Sequence, residues 1–204
     1  MHGVPQSNSG TPHGVAAAIR AALGQRSVVM IGLMGCGKTS IGRRTAFHLG
    51  LPFVDADAAI EEAAGKSIKE IFDDHGEAYF RSGERRVIAR LLKSAPQVLA
   101  TGGGAYMNAE TRQGITEAGV AVWLKADLPI LMRRVMKRTN RPLLQSANPE
   151  AIMRGFMEVR YPVYAEAPVI VESRDISHDA MADYVINALA AHLLRAPNST
   201  GNSP

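Results

Sequence analysis

Residues 32–39 read Gly-Leu-Met-Gly-Cys-Gly-Lys-Thr, the spacing G-x-x-x-x-G-K-[ST], and this octet restricts the possible folds more than any other stretch of the chain. The run Val28-Val29-Met30-Ile31 before it has the short, wholly apolar character of a buried parallel strand, and residues 40–47 after it follow the period of an amphipathic helix. A strand that enters a glycine loop and leaves as a helix turns successive backbone N–H groups inward, over the positive end of a helix dipole. That arrangement binds phosphate. Gly35, Cys36, Gly37, Lys38, Thr39 and Ser40 are therefore the expected phosphate-binding residues of a nucleotide site. Lys38 is expected to reach the outer phosphates and the Thr39 hydroxyl to ligate Mg2+. The alternative is a glycine turn that only joins a strand to a helix.

Composition serves mainly to exclude other classes. The chain has 204 residues, of which 46% are hydrophobic, enough for one domain with a sizeable core. No run approaches the roughly 20 apolar residues of a membrane span, and the N-terminus lacks the apolar core of a secretory signal. A soluble, cytoplasmic protein is expected. Cys36 is the only cysteine, so no intrachain disulfide forms. The formal net charge of +4 raises the question of a nucleic-acid partner. Arg20, Arg26 and Arg195 lie in terminal stretches without acid, however, and the remaining 20 basic residues are matched by 19 acidic ones. No basic stripe is left to follow a phosphate backbone. The expected partner is a small molecule, with neither nucleic acid nor membrane, acting on a monomer.

Residues 1–12 and 197–204 have the Gly, Ser, Pro and Asn content of disordered tails. Residues 15–23 suggest a short helix within an N-terminal extension that runs to residue 26, too poor in arginine for a transit peptide. A single domain is expected over 27–192, followed by a tail over 193–204. Within the domain, short apolar runs at 28–31, 52–54, 98–100, 120–124 and 169–171 alternate with helical stretches, the clearest at 76–92 and 127–138. The pattern predicts an α/β protein: a parallel sheet of about five strands, helices on both faces, and ligands at the carboxyl ends of the strands.

Residues just beyond each strand are then the ones to examine for chemistry. Asp55-Ala56-Asp57 follows the second strand; one carboxylate can organise Mg2+ and the other take a proton from an attacking hydroxyl. Helix capping is the competing reading. Thr101-Gly102-Gly103-Gly104 follows the third strand, where either close approach of a ligand or a flexible turn accounts for three glycines. Arg81, Arg134, Arg138, Arg141 and Arg160 each have a plain reading as a solvated helix face. Arg141-Pro142-Leu143-Leu144 has the character of a lid that carries a cation over a transferring phosphoryl group, and Arg160-Tyr161-Pro162 that of a helix end or kink. Cys36 is either a small side chain that fits its loop or a thiol activated by the helix N-terminus.

The octet, Phe53-Val54-Asp55-Ala56-Asp57 with Ile60-Glu61, Gly76-Glu77-Ala78-Tyr79-Phe80-Arg81 with Glu84, Thr101-Gly102-Gly103-Gly104, Arg141-Pro142-Leu143-Leu144 and Arg160-Tyr161-Pro162-Val163-Tyr164 together resemble the shikimate kinase family in order and spacing. The resemblance spans about 27–190. It implies a three-layer P-loop NTPase fold of the nucleoside-monophosphate-kinase type, and transfer of the ATP γ-phosphoryl group to the 3-hydroxyl of shikimate on the way to aromatic amino acids. By the same resemblance, Asp57 holds ring hydroxyls and acts as base, Arg81 and Arg160 bind the substrate carboxylate, and Gly103 contacts substrate through its backbone. Thr39 and Asp55 match the Mg2+ site, Arg141 the lid arginine on the phosphates, and Arg134 the adenine-side arginine. Residues 58–84 match a substrate-binding subdomain and 137–147 a lid. Gluconate kinases share the P-loop and a carboxylate-bearing polyol substrate but lack this combination of motifs. A kinase-shaped protein that has lost catalysis is the other alternative, although Lys38, Asp55, Asp57 and Arg141 are all present.

Overall fold

The computed structural model describes residues 13–94, 96–137 and 148–195. The expected tails at 1–12 and 197–204, Arg138, and most of the expected lid with Arg141, lie outside the described residues. Five strands, β1 (Ser27–Ile31), β2 (Phe53–Asp55), β3 (Val98–Ala100), β4 (Gly119–Lys125) and β5 (Val169–Glu172), form one parallel sheet in the order β2-β3-β1-β4-β5. All five coincide with the apolar runs of the sequence to within a residue or two. Every residue of β1 is buried, because it is the central strand, with β3 on one side and β4 on the other. Its carboxyl end lies where the chain passes to either half of the sheet, the usual place for a ligand in an open α/β sheet.

Among the described residues, eight α-helices surround the sheet. Three of them, α1 (His13–Leu23), α2 (Lys38–Leu49) and α8 (His178–Leu193), pack together on one face. Although α1 lies within the stretch expected as an extension, Ile19 and Leu23 are buried in the main core. Arg20 also donates from Nη1 to the carbonyl of Leu49 at 2.7 Å, so the helix is joined to the end of α2. The remaining helices are α3 (Ala56–Ala64), α4 (Ile68–Leu92), α5 (Ala109–Ala118), α6 (Leu128–Met136) and α7 (Pro149–Tyr164); α4 packs on α3 and α5, and α6 on α7.

Two of these helices depart from the sequence expectation. The stretch expected at 76–92 is the second half of α4, which bends at Gly76 (φ 77°). Its first half is started by a capping box, in which Ser67 accepts from the Glu70 N–H and Glu70 accepts from the Ser67 N–H. Pro162 does not stop its helix at once, since α7 continues two residues further, to Tyr164. A proline one turn from a helix end removes a single N–H donor there, less than the full interruption it causes mid-helix.

Apolar burial divides unequally. The main cluster contains β1, β3, β4 and the helices against them, whereas Ile60, Ile71 and Phe80 form a separate small cluster between α3 and α4, with Ile68, Phe72 and Val87 at its edge. The stretch 58–84 therefore rests largely on a core of its own.

Candidate active site

The first wall of the site is backbone. Gly37 caps α2 with φ +104°, a conformation that L side chains rarely adopt, and no side chain satisfies the first N–H groups of the helix. Those donors and the dipole of a 12-residue helix face an open cleft of about 540 Å3. Gly35, Gly37, Lys38, Thr39 and Ser40 line it. Lys38 Nζ lies across the loop mouth, donating to the carbonyls of Gly32 (2.8 Å) and Leu33 (3.0 Å). Cys36 is fully buried; its carbonyl accepts from Arg134 and Ser173, and its Sγ accepts from Lys38 Nζ at 3.9 Å.

Arg134, in the last turn of α6, joins this loop to the end of β5. Its guanidinium donates to the Cys36 carbonyl (3.3 Å), to Ser173 Oγ (2.8 Å) and to the Arg174 carbonyl (2.7 Å). Asp175, Ile176 and His178 complete the rim on that side.

Carboxylates form the floor. Thr39 Oγ1 donates to Asp55 Oδ2 at 2.9 Å, while Asp55 Oδ1 accepts from the Asp57 N–H at 3.1 Å. Asp55 is thus both the N-cap of α3 and the partner of the loop threonine, so the capping and site readings hold together for this residue. Asp57 is left facing the cleft. Desolvation by the cleft walls first, and then the negative charge of Asp55, push its carboxyl up to about 6, while Lys38 opposes the rise. At neutral pH it is a carboxylate of above-ordinary basicity, suited to accept a proton.

The second wall consists of side chains gathered around Gly102-Gly103-Gly104. A Cβ on Gly102 would lie 2.7 Å from Glu84 Oε1 and 3.0 Å from Asp57 Oδ1, and one on Gly104 would lie 2.5–2.7 Å from the Arg81 guanidinium. Close approach of functional groups, not turn flexibility, is what these glycines permit. Arg81 Nη1 donates to Glu84 Oε2 at 2.8 Å, and Nη2 donates to Glu77 Oε1 at 3.1 Å. Glu84 is 3% exposed, and its second oxygen, Oε1, has no hydrogen-bond partner among the described residues. From α7, Arg160 Nη1 donates to the Gly103 carbonyl at 3.1 Å and stacks its guanidinium over Phe156.

Of the residues singled out in the sequence, Gly35, Gly37, Lys38, Thr39, Ser40, Asp55, Asp57, Gly103 and Arg134 line one cleft. Arg81 and Arg160 reach its edge through Gly104 and Gly103. Glu84, Ser173 and Tyr164 were assigned no role from sequence. Glu84 shares a helix face with Arg81 three residues earlier, a visible signal; the Ser173 contact across 137 positions to Cys36 had none.

Comparison with known proteins gives one answer. A family model described as "Shikimate kinase" matches residues 34–190. A shikimate kinase of Bradyrhizobium diazoefficiens is 55% identical over 177 residues, covering 87% of this chain and 86% of that protein. Among solved structures, shikimate kinase from Acinetobacter baumannii in complex with shikimate aligns with TM-score 0.80 at 34% identity, covering 87% of this chain and 99% of that one. A gluconokinase from Sinorhizobium meliloti aligns with TM-score 0.57 at 20% identity, covering 83% and 94%, and shares the fold.

Proposed function

The chain belongs to the shikimate kinase family of ATP-dependent kinases, and from that premise we propose that it phosphorylates the 3-hydroxyl of shikimate, yielding shikimate 3-phosphate and ADP in aromatic amino acid biosynthesis. The observation that carries this reading is the seam between the walls: Asp57 lies between a phosphate-binding loop and a pocket edged by two arginines. A ring with a carboxylate at one end and hydroxyls at the other fits such a pocket, the carboxylate toward Arg81 and Arg160 and a hydroxyl toward Asp57.

Phosphoryl transfer needs positioning and charge stabilisation more than covalent help. The backbone donors at 35–40 and Lys38 would hold the phosphates, and Arg134 would flank the adenine. Asp57 would orient the acceptor hydroxyl and take its proton as the oxygen attacks. Gly103 would contact the acceptor through its backbone, and Arg141 from the lid would offset charge growing on the transferring group. Thr39 and Asp55 form a pair of hard oxygen donors 2.9 Å apart, which suits Mg2+. Among the described residues no group of three or more His, Cys, Asp or Glu side chains converges on a metal position, which suits a cation that takes most of its ligands from phosphate and water. Bound there, Mg2+ would neutralise charge on the outer phosphates. We further propose one kinase domain over 27–192, to whose core the helix α1 of the preceding stretch is joined, with 58–84 as acceptor-binding subdomain and 137–147 as lid. One chain supplies both walls, which supports a monomer, and a biosynthetic kinase in which no described helix is long and apolar enough to cross a membrane fits the cytoplasm.

ADP release in the presence of ATP and Mg2+ tests the reading, with shikimate, gluconate or no acceptor in parallel. Turnover that depends on shikimate is expected. Equal turnover with gluconate, or none with shikimate, would overturn it.

A further inference from the structure

One helix supplies two donors to the Gly103 carbonyl. Arg160 Nη1 donates to this oxygen at 3.1 Å, and so does the hydroxyl of Tyr164, one turn further along α7. Tyr164 is 1% exposed, with its ring set among those of Trp123 and Tyr106 at centroid distances of 5.9 and 6.4 Å. Burial pushes its hydroxyl up to about 12, so the group remains a donor throughout the neutral range.

The consequence follows from peptide planarity. The Gly103 carbonyl and the Gly104 N–H belong to one rigid unit, so fixing one fixes the other. The preceding unit is fixed as well, because the Gly102 carbonyl accepts from the Ala105 N–H at 3.2 Å. Gly103, which lines the cleft, is thereby held from both sides. Of its two side-chain donors, Arg160 is assigned a second task, the acceptor carboxylate, and moving toward that anion weakens its hold on the carbonyl. Tyr164 is buried, its hydroxyl oxygen also interacts with the Arg160 guanidinium, and among the described residues the acceptor of its hydroxyl is the Gly103 carbonyl.

We propose that Tyr164 is a positioning residue for the acceptor: its hydroxyl holds the Gly103 peptide in place while the Arg160 guanidinium engages the substrate carboxylate. The inference rests on the shikimate reading above.

The full chain carrying Tyr164→Phe keeps the ring and loses the donor. The KM for shikimate is expected to rise roughly three- to tenfold, the scale of one lost hydrogen bond, with the KM for ATP within about twofold of the parent. Tyr161→Phe is the matched control, since Tyr161 lies on the same helix and in the same ring cluster but donates to the Ala126 carbonyl. It should leave the KM for shikimate unchanged. An unchanged shikimate KM in Tyr164→Phe, an equal rise in Tyr161→Phe, or a joint rise for both substrates would each overturn the proposal. If Tyr164→Phe does not fold, the carbonyl carbon shift of Gly103 in the parent chain decides. It should keep a hydrogen-bonded value when shikimate binds, and a move to that of a free carbonyl would overturn the proposal. If the parent shows no shikimate-dependent turnover, the functional reading fails separately. The same carbon, compared between the unliganded parent and Tyr164→Phe, then decides: a change supports the hold and identity overturns it.

Discussion

The two walls of the cleft are built by opposite means. The wall proposed for the nucleotide is backbone, with carbonyls and N–H groups of residues 32–40 fixed to the central strand of a large core and linked to β5 through Arg134. The wall proposed for the acceptor is side chain, with Glu84 and Arg81 on a helix held at one end by the small cluster of Ile60, Ile71 and Phe80 and at the other by Ile88 and Leu92 in the main core, drawn in against glycines that leave room for them. A phosphate chain is common to all uses of a nucleotide, so a rigid backbone cradle suffices for it. A particular acceptor must be matched group by group, which calls for side chains on a more lightly supported element.

If the walls are separable, substitutions should sort by substrate, and Asp57 at the seam should be the exception. Asp57→Asn is expected to lower kcat by roughly 10²- to 10⁴-fold with both KM values little changed, the loss of a general base. A change confined to KM would assign Asp57 to binding alone. Next in size, Arg81→Ala should raise the KM for shikimate by roughly 10- to 100-fold, as a charge-assisted contact is lost, with the KM for ATP unaffected. Gly104→Ala, whose Cβ would displace the same guanidinium, should move the same constant by less, because the long side chain can shift. Arg134→Ala is the mirror experiment, expected to raise the KM for ATP by roughly tenfold and leave that for shikimate alone. Steady-state kinetics with each substrate varied in turn would read all of these, and any of the wall variants moving both constants equally would break the division.

The pH dependence sharpens the role of the seam. With the Asp57 carboxyl at about 6, kcat/KM should fall about tenfold per unit below that pH, and Asp55→Asn should shift the limb lower by removing a raising charge. For stability the sign is reversed. A carboxyl raised in the folded state favours folding fully only below its unfolded value, and that contribution is lost as pH rises through 6. Asp57→Asn should therefore melt higher than the parent at pH 8 and no higher below pH 4, by no more than about 1 kcal/mol because the carboxylate is open to cleft water. The most local effect expected is Ile60→Val, a loss of about 1 kcal/mol in a local cluster, seen as faster amide exchange in α3 and α4 without change in the sheet.

The same contrast explains what could be read from the sequence. A backbone cradle must be spelled in glycines at fixed spacing, and buried parallel strands in unbroken apolar runs, so residues 32–39 and all five strands were legible. Arg81 and Asp57 were legible as residue types at the right places, yet what brings them together, the space over Gly102 and Gly104, depends on β3 meeting α4. The unpartnered Glu84 oxygen could not be foreseen, because its burial is a property of the packed structure. The first half of α4 is a different case. Its Ser67 and Glu70 capping pair was visible and marks a helix start eight residues before the expected one. The extension before residue 27 suggested little because nothing in a short, acid-free helix says that Ile19 and Leu23 join the core.

The most direct test of the central claim locates the transferred phosphate. With ATP, Mg2+ and shikimate, a phosphorus-to-proton correlation spectrum of the product should show a single monoester coupled to the ring proton at carbon 3. Phosphate on another hydroxyl would contradict the orientation given by Asp57 and the two arginines, and inorganic phosphate alone would contradict the existence of an acceptor wall.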